Sequence, residues 1–474
     1  MNAPMTLAQV AAWLDQAVPV GLEDGQTVAL TRVHTDTRSI EPGDLFVALR
    51  GERFDANDFI AEACAKGAVA VIGQGDGAVR QLTQAGVPGL VVPDARLALA
   101  QLATHYRAQF SLPLIAVTGS NGKTTVTQMI ASILRTFKGA AALATQGNLN
   151  NDIGVPLTLL RLTPAHQVAV VELGMNHPGE IATLAAIAKP TVALVNNAQR
   201  EHLEFMQTVA AVAHENGSVI QALPADGVAV FPADDAFSAV WSDLAGVRRV
   251  LRFAATAQAG ADVFAVQANW SGAAWRVSAA TPAGELHYTL HIAGAHNVKN
   301  SLAALSCALA AGVPPGLIAQ GLSAFEPVKG RSRAWQLVHQ DRPLTLVDDS
   351  YNANPDSVRA AIDVLAALPG PHLLVLGDMG EVGNQGPLFH AEALQHAQEK
   401  KIGKVLLTGT AFAQAAMNFE KTRCHAEMAQ LQAAVLAELP GVASVLVKGS
   451  RFMKMEQVVQ AIVAASQENR SASC

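Results

Sequence analysis

Thr118-Gly119-Ser120-Asn121-Gly122-Lys123-Thr124-Thr125 follows the apolar run Leu114-Ile115-Ala116-Val117 and precedes a segment in which Met129, Ile130, Ile133, Leu134 and Phe137 recur at helical spacing. Strand, glycine-bearing loop and helix in that order form the layout of a phosphate-binding loop. The glycines let the backbone turn so that several N–H groups face one anion, and the helix N-terminus adds partial positive charge beneath it. Lys123 supplies a cation for the outer phosphates, and the hydroxyl of Thr124 suits Mg2+. The first glycine of the generic pattern Gly-x-x-x-x-Gly-Lys-Ser/Thr falls on Val117, which weakens a general GTPase or transport-ATPase reading. An ordinary glycine-rich turn with a surface lysine is the bland alternative; motif and flanking pattern together favour the phosphate loop.

The rest of the chain bounds what such a loop serves. With 474 residues there is too much chain for one core, and about three domains are expected. Half the residues are hydrophobic but only 5% are aromatic, so Ala, Val and Leu must build the cores. The net charge is -6 and no basic block occurs, which argues against a nucleic-acid partner. Cys64, Cys307, Cys424 and Cys474 lie far apart, so neither a disulfide framework nor a zinc site is indicated, and a reducing cytoplasm fits best. Near the N-terminus Thr6 caps a short helix with Leu7, Val10 and Leu14 inward, in place of a signal peptide. The uncharged stretch Ser301 to Phe325 is long enough to suggest a membrane span, but Gly312, Pro314 and Pro315 divide it into two helices. No membrane insertion is expected.

Residues 1–110 alternate strand-like and helical runs and read as a small α/β domain. In it Asp36-Thr37-Arg38-Ser39 and the strand Asp44 to Leu49, followed by Arg53 and Asp55 to Asp58, suit a sugar nucleotide's phosphates and uracil, or a plain turn. Residues 111–328 start with the phosphate loop and continue as a mostly parallel sheet. Val168 to Val171 ends in Glu172, and Thr191 to Val195 ends in Asn196-Asn197 with His202 close behind. Ligands collect at the carboxyl ends of such strands, so Glu172 and His202 are candidate metal ligands, helix capping and solvent exposure being the alternatives. Asn148, Asn150 and Asn151 offer amides to a peptide or sugar, or make turns; Asn297 offers one to an adenine edge, or caps a helix. Residues 329–474 repeat the strand–helix alternation as a second doubly wound sheet. Its strand ends carry Asp348 to Pro355, Gly377 to Glu381 and Lys448 to Arg451, three polar clusters that suggest one face of a site.

The loop, Glu172, His202, Gly294 to Asn300, Gly330-Arg331 and the C-terminal clusters together resemble the Mur ligases, over essentially the whole chain. The resemblance implies three domains: an N-terminal one for a UDP-sugar peptide, a central ATPase, and a C-terminal Rossmann-like domain that closes over the nucleotide. It implies an ATP- and Mg2+-dependent ligase, expected to be a monomer, joining D-alanyl-D-alanine to UDP-N-acetylmuramoyl-tripeptide through an acyl phosphate. By the same resemblance Lys123 meets the β- and γ-phosphates within the loop Thr118, Gly119, Ser120, Asn121, Gly122, Thr124 and Thr125. Thr124, Glu172 and His202 hold metal, Asn297 meets adenine, Arg331 the phosphates and Asp349 the ribose. Asp36, Arg38, Asn148, Asn150 and Asn151 face the UDP-muramoyl peptide, and Asn352, Asn354, Lys448 and Arg451 the dipeptide or the new bond.

One position departs from the family. Where many relatives carry a lysine carbamate for the second Mg2+, this chain has Asn216, which cannot be carbamylated. The expectation is that His202, substrate oxygens and water hold that ion, with help from Glu215. Two other readings stay open: a folylpolyglutamate-synthetase-like ligase, which lacks a reason for the Asp36 to Leu49 and Asp349 to Pro355 runs, and a nucleotide-gated scaffold without turnover.

Overall fold

The computed structural model describes residues 5–22, 27–51 and 54–468. Arg53 and Cys474 lie outside the described residues. A capping box between Thr6 and Gln9 starts the helix Leu7–Trp13, with Leu7, Val10 and Leu14 buried as its pattern requires. A five-stranded sheet follows, in the order Val18–Val20, Gly89–Val92, Ala70–Gln74, Asp44–Val47, Arg32–His34, parallel except for its first edge strand. Asp44 is buried because it is fully paired, accepting from the Arg32 guanidinium at 2.7 and 2.9 Å and from the Glu41 amide.

A nine-stranded sheet occupies the middle of the chain: Gly284–Leu290, Trp275–Thr281, Val263–Trp270, Arg249–Ala254, Val228–Pro232, Val192–Val195, Leu114–Thr118, Val168–Glu172, Ala142–Ala144. It is parallel from Ala142–Ala144 to Val263–Trp270, and those central strands are continuous apolar runs because helices cover both faces. The uncharged stretch becomes the helices Ala295–Ala310 and Pro315–Ser323 under this sheet. No helix among the described residues is long and apolar enough to cross a membrane.

The helix Ala95–Arg107 joins the first sheet to the second, and Leu99, Leu102 and Tyr106 share one core with Leu159 and Leu184. The Tyr106 hydroxyl donates to the Leu162 carbonyl at 2.7 Å, and the buried Arg107 guanidinium donates to the carbonyls of Ala188 and Lys189. The polar groups buried at this joint are thus paired, as a desolvated contact requires.

The last sheet runs Thr422–His425, Lys404–Thr408, His372–Gly377, Ser444–Lys448, Arg342–Asp349, Arg333–His339, Gln467–Glu468. Its three central strands are parallel neighbours, so the polar clusters at residues 348–355, 377–381 and 448–451 stand side by side at one edge.

Candidate active site

The strand Leu114–Thr118 lies between Val168–Glu172 and Val192–Val195, a point where crossovers leave in both directions. Val117 is in register with Glu172 and Thr118 with Val195, so the loop, Glu172 and Asn196-Asn197 emerge at one level. Gly119 and Gly122 have φ of 129° and 82°, the region that favours glycine. A Cβ on Gly122 would stand 2.7 Å from Asn300 Oδ1 and 2.8 Å from Asn196 Nδ2. The loop is held in shape by neighbouring amides. Asn121 N donates to Asn197 Oδ1 at 2.8 Å, and the Asn196 and Asn197 amides donate to Asn121 O at 2.8 and 3.0 Å. Ser120 Oγ accepts from Gln199 N, and Asn216 Oδ1 accepts from Gly119 N at 2.9 Å and from the Thr118 hydroxyl. The helix Lys123–Lys138 then begins with no side-chain cap, leaving its first amides for an anion.

Lys123 Nζ donates to the carbonyls of Gly119 and Ser120 and pairs with Glu201 at 3.1 Å. Glu172 is 2% exposed; its Oε1 accepts from Thr124 Oγ1 at 3.0 Å and Asn150 Nδ2 at 2.8 Å, and its Oε2 is buried with no hydrogen-bond partner. A buried anionic oxygen without a donor is what a hard cation requires, and with the Thr124 hydroxyl it fits Mg2+. Among the described residues no group of three His, Cys, Asp or Glu stands ready to enclose a metal. His202 sits at φ 49° before the short helix Leu203–Met206. Its Nδ1 lies 2.7 Å from Glu381 Oε2, close enough for a charge contact although outside hydrogen-bond alignment, and its Nε2 lies 3.9 Å from Glu201 Oε2. The His202 imidazole holds the Glu381 carboxyl below its ordinary value.

Glu215 does something other than expected. Its two oxygens accept from Gly179 N at 2.9 Å and Ile181 N at 2.8 Å, which ties it to the start of the helix Glu180–Ala188 rather than to the phosphate loop. Asn216 acts instead as the clasp of Thr118 and Gly119. Glu201, which the sequence pattern did not single out, takes the place beside Lys123 and His202; its only signal was adjacency to His202.

A cavity of about 1230 Å³ opens over the loop and extends under the C-terminal sheet. Ser120 to Thr125, Asn148, Asn150, Asn151, Glu172, His202 and Asn297 line it from the central unit, and Arg331, Asp349, Asn352, Asn354 and Lys448 from the C-terminal one. Many of these side chains are already engaged. Asn297 is buried, its amide donating to Ala293 O and accepting from Asn300. Asp349 accepts from Ser332 N and from Lys448 Nζ at 2.6 Å, and Lys448 also donates to Asn352 O. Asn354 caps the helix Pro355–Ala366, and its amide donates to Asn121 Oδ1 across the cavity at 2.9 Å. Asn151 caps the turn into Gly154–Leu159. Arg331 lies over the Tyr351 ring, 4.3 Å from its centre. Arg451 is exposed, pairs with Glu456 and does not line the cavity. Asp36 and Arg38 do not line it either; they pair with each other, and Asp36 caps the turn Thr37–Ser39. Asp378 accepts from the amides of Ala411 and Phe412 and so serves the next helix.

Three family models match consecutive stretches of the chain: "Mur ligase family, catalytic domain" over residues 29–107, "Mur ligase middle domain" over 117–308, and "Mur ligase, glutamate ligase domain" over 333–468. The chain is 39% identical to the UDP-N-acetylmuramoyl-tripeptide--D-alanyl-D-alanine ligase of Escherichia coli (strain K12), with 97% of this chain and 98% of that protein covered. It is 36% identical to the protein of the same name from Haemophilus influenzae, over 95% of this chain and 97% of that one. Among solved structures it is similar to MurF from Acinetobacter baumannii, with TM-score 0.86, 34% identity and 97% and 98% of the two chains covered. MurF from Thermotoga maritima in complex with ADP gives TM-score 0.79 at 25% identity over 92% and 97%. A Mycobacterium tuberculosis folylpolyglutamate synthase, at TM-score 0.61 and 16% identity over 78% and 93%, shares the fold alone. Matched from its first sheet to its last by the domain models and the full-length relatives, the chain belongs to the Mur ligase family.

Proposed function

We infer that the chain is an ATP-dependent ligase that joins D-alanyl-D-alanine to UDP-N-acetylmuramoyl-tripeptide, a step of peptidoglycan precursor synthesis. The full-length relatives that bear this activity in their names support the reading. The observation that carries it is the cavity in which a preformed phosphate loop faces polar strand ends of a second α/β unit. A terminal carboxylate is a poor acyl donor. Transfer of the γ-phosphoryl group of ATP to it gives an acyl phosphate and ADP; the dipeptide amine then attacks the carbonyl, and phosphate leaves with formation of the amide. The work left to the protein is positioning and charge neutralisation.

Lys123, held at present by Gly119 O, Ser120 O and Glu201, is proposed to turn to the outer phosphates. Thr124, Glu172 and His202 are the residues proposed to hold Mg2+, which supplies neutralisation of the transferring phosphoryl group. Arg331 is proposed to add a cation from the C-terminal side, Asp349 to meet the ribose and Asn297 to shape the adenine end of the pocket. Asn148, Asn150 and Asn151 are assigned to the muramoyl peptide; Asn352, Asn354 and Lys448 are assigned to the dipeptide. Asp36 and Arg38, outside the cavity, are assigned to the UDP-muramoyl peptide; Arg451, read from the sequence as near the dipeptide or the new bond, does not line the cavity and is given no role at the bond. Closure of the C-terminal unit over the loop is proposed to exclude water, which otherwise hydrolyses the acyl phosphate. We further propose a monomer in the cytoplasm, since one chain's own units complete the cavity and its described cysteines are free.

Phosphate release from ATP and Mg2+ with UDP-N-acetylmuramoyl-tripeptide, with and without D-alanyl-D-alanine, tests the reading. Release that needs both substrates, yields pentapeptide by mass and vanishes in Lys123→Ala is expected. Release indifferent to the dipeptide refutes the acceptor assignment.

A further inference from the structure

Glu201 is 6% exposed, and its two oxygens have different fates: Oε2 pairs with Lys123 Nζ at 3.1 Å, whereas Oε1 is buried and without a hydrogen-bond partner. Burying a carboxylate that is only half satisfied is costly, and the cost grows when its one cation leaves. Lys123 is that cation, and it is also the group drawn to the outer phosphates when nucleotide enters. The carboxylate then stands with both oxygens unpaired on the wall of a cavity beside His202 Nε2, 3.9 Å from Oε2. The other nitrogen of His202 faces Glu381, at 2.7 Å, from the C-terminal unit. The Glu381 charge at that distance, although not in hydrogen-bond alignment, favours a proton on Nδ1 and so leaves Nε2 as the nitrogen free to act as a ligand.

We propose that Glu201 exchanges partners: it holds the Lys123 ammonium while the nucleotide site is empty, and with His202 Nε2 it holds a divalent cation once Lys123 has moved to the phosphates. The inference rests on the ligase reading of the same cavity and adds Glu201 to its binding groups. One carboxylate and one imidazole, completed by phosphate oxygens and water, make a modest site of the kind Mg2+ and Mn2+ accept. Glu381 arrives only with the C-terminal unit, so the site is finished by closure.

The test counts Mn2+ by electron paramagnetic resonance on the full chain with a non-hydrolysable ATP analogue. Wild type is expected to hold two ions per chain, and Glu201→Gln to hold one at unchanged affinity and the second at least about tenfold more weakly. In the absence of nucleotide, Lys123→Gln is expected to bind Mn2+ more tightly than wild type, because the competing ammonium is gone. A Glu201 that serves only to steady Lys123 gives no such gain. Two ions retained with equal affinity in Glu201→Gln, or no gain in Lys123→Gln, overturn the proposal. A wild type holding one ion overturns it while sparing the ATP site; one holding none overturns both.

Discussion

Replacing Arg200 by alanine is expected to open the molecule. Arg200 belongs to the central unit, but its guanidinium meets two carboxylates of the C-terminal unit: Asp356 at 2.7 Å, and Glu392 at 2.8 and 3.0 Å through both terminal nitrogens. Its backbone N–H also donates to Asp356 at 2.8 Å, and the guanidinium lies 5.1 Å from the centre of the Phe389 ring. The side chain is 24% exposed, so the pairs are stronger than surface ion pairs, at ~0–1 kcal/mol, and weaker than fully buried charged bonds, at ~1.5–3 kcal/mol each. Two such pairs contribute about 2–3 kcal/mol to closure, or about 30- to 150-fold in the closed-to-open ratio. Glu392 keeps Arg359 at 2.9 Å as a second cation, which argues for the lower half of that range. Distance distributions between dyes on the central and C-terminal units, read by single-molecule energy transfer, measure the ratio directly. Arg200→Lys, which cannot make the two-pronged contacts, is expected to recover only part of it. An unchanged closed fraction in Arg200→Ala, with the fold intact by circular dichroism, refutes the clamp.

The clamp also sets a pH dependence. Arg200 holds the Glu392 carboxyl below its ordinary value, so this contribution is complete above the free glutamate value, about 4.3, and is lost as pH falls through the depressed one; the difference in closed fraction between wild type and Arg200→Ala should therefore be constant from about pH 6 to 8 and shrink only in acid. Gly122→Ala places a Cβ against Asn300 and Asn196 at a φ of 82°, and calorimetry is expected to find nucleotide affinity reduced at least about tenfold; unchanged affinity contradicts the tight loop. Asn216→Leu strips the acceptor from Gly119 N and Thr118 Oγ1 in a dry site and is expected to destabilise the central unit by about 1–3 kcal/mol in denaturant melts, whereas Asn216→Asp, which keeps an acceptor oxygen, should be milder. Glu172→Gln should lower the affinity for the first Mn2+ while leaving the melting temperature close to wild type, since Thr124 and Asn150 retain an acceptor.

Much of this protein was legible from local chemistry. The phosphate loop, its strand and its helix are contiguous in the chain, so glycine placement, an apolar run and a helical stripe suffice to read them. The same holds for the capping box at Thr6 and the proline-broken helices after Ser301, where the decisive contacts span only a few residues. Strand-end polar clusters were visible too, because parallel strands deliver their carboxyl ends to one edge whatever their order. The chain order alone does not say which cluster member turns inward. Asp378 and Asp349 look alike as strand-end aspartates, yet one serves the Ala411 and Phe412 amides and the other pairs with Lys448 on the cavity wall. Glu215 and Glu201 are a further instance. Each precedes or flanks a residue flagged by motif, and only packing sent Glu215 to the Gly179 turn and Glu201 to Lys123, 78 residues away in sequence. Arg200 had no local signal at all, since its partners stand 156 and 192 residues further on. Backbone propensities and short motifs are properties of neighbouring residues and are written in the sequence; the pairing of buried charges depends on which surfaces are desolvated together, and that was decided only when the three sheets packed.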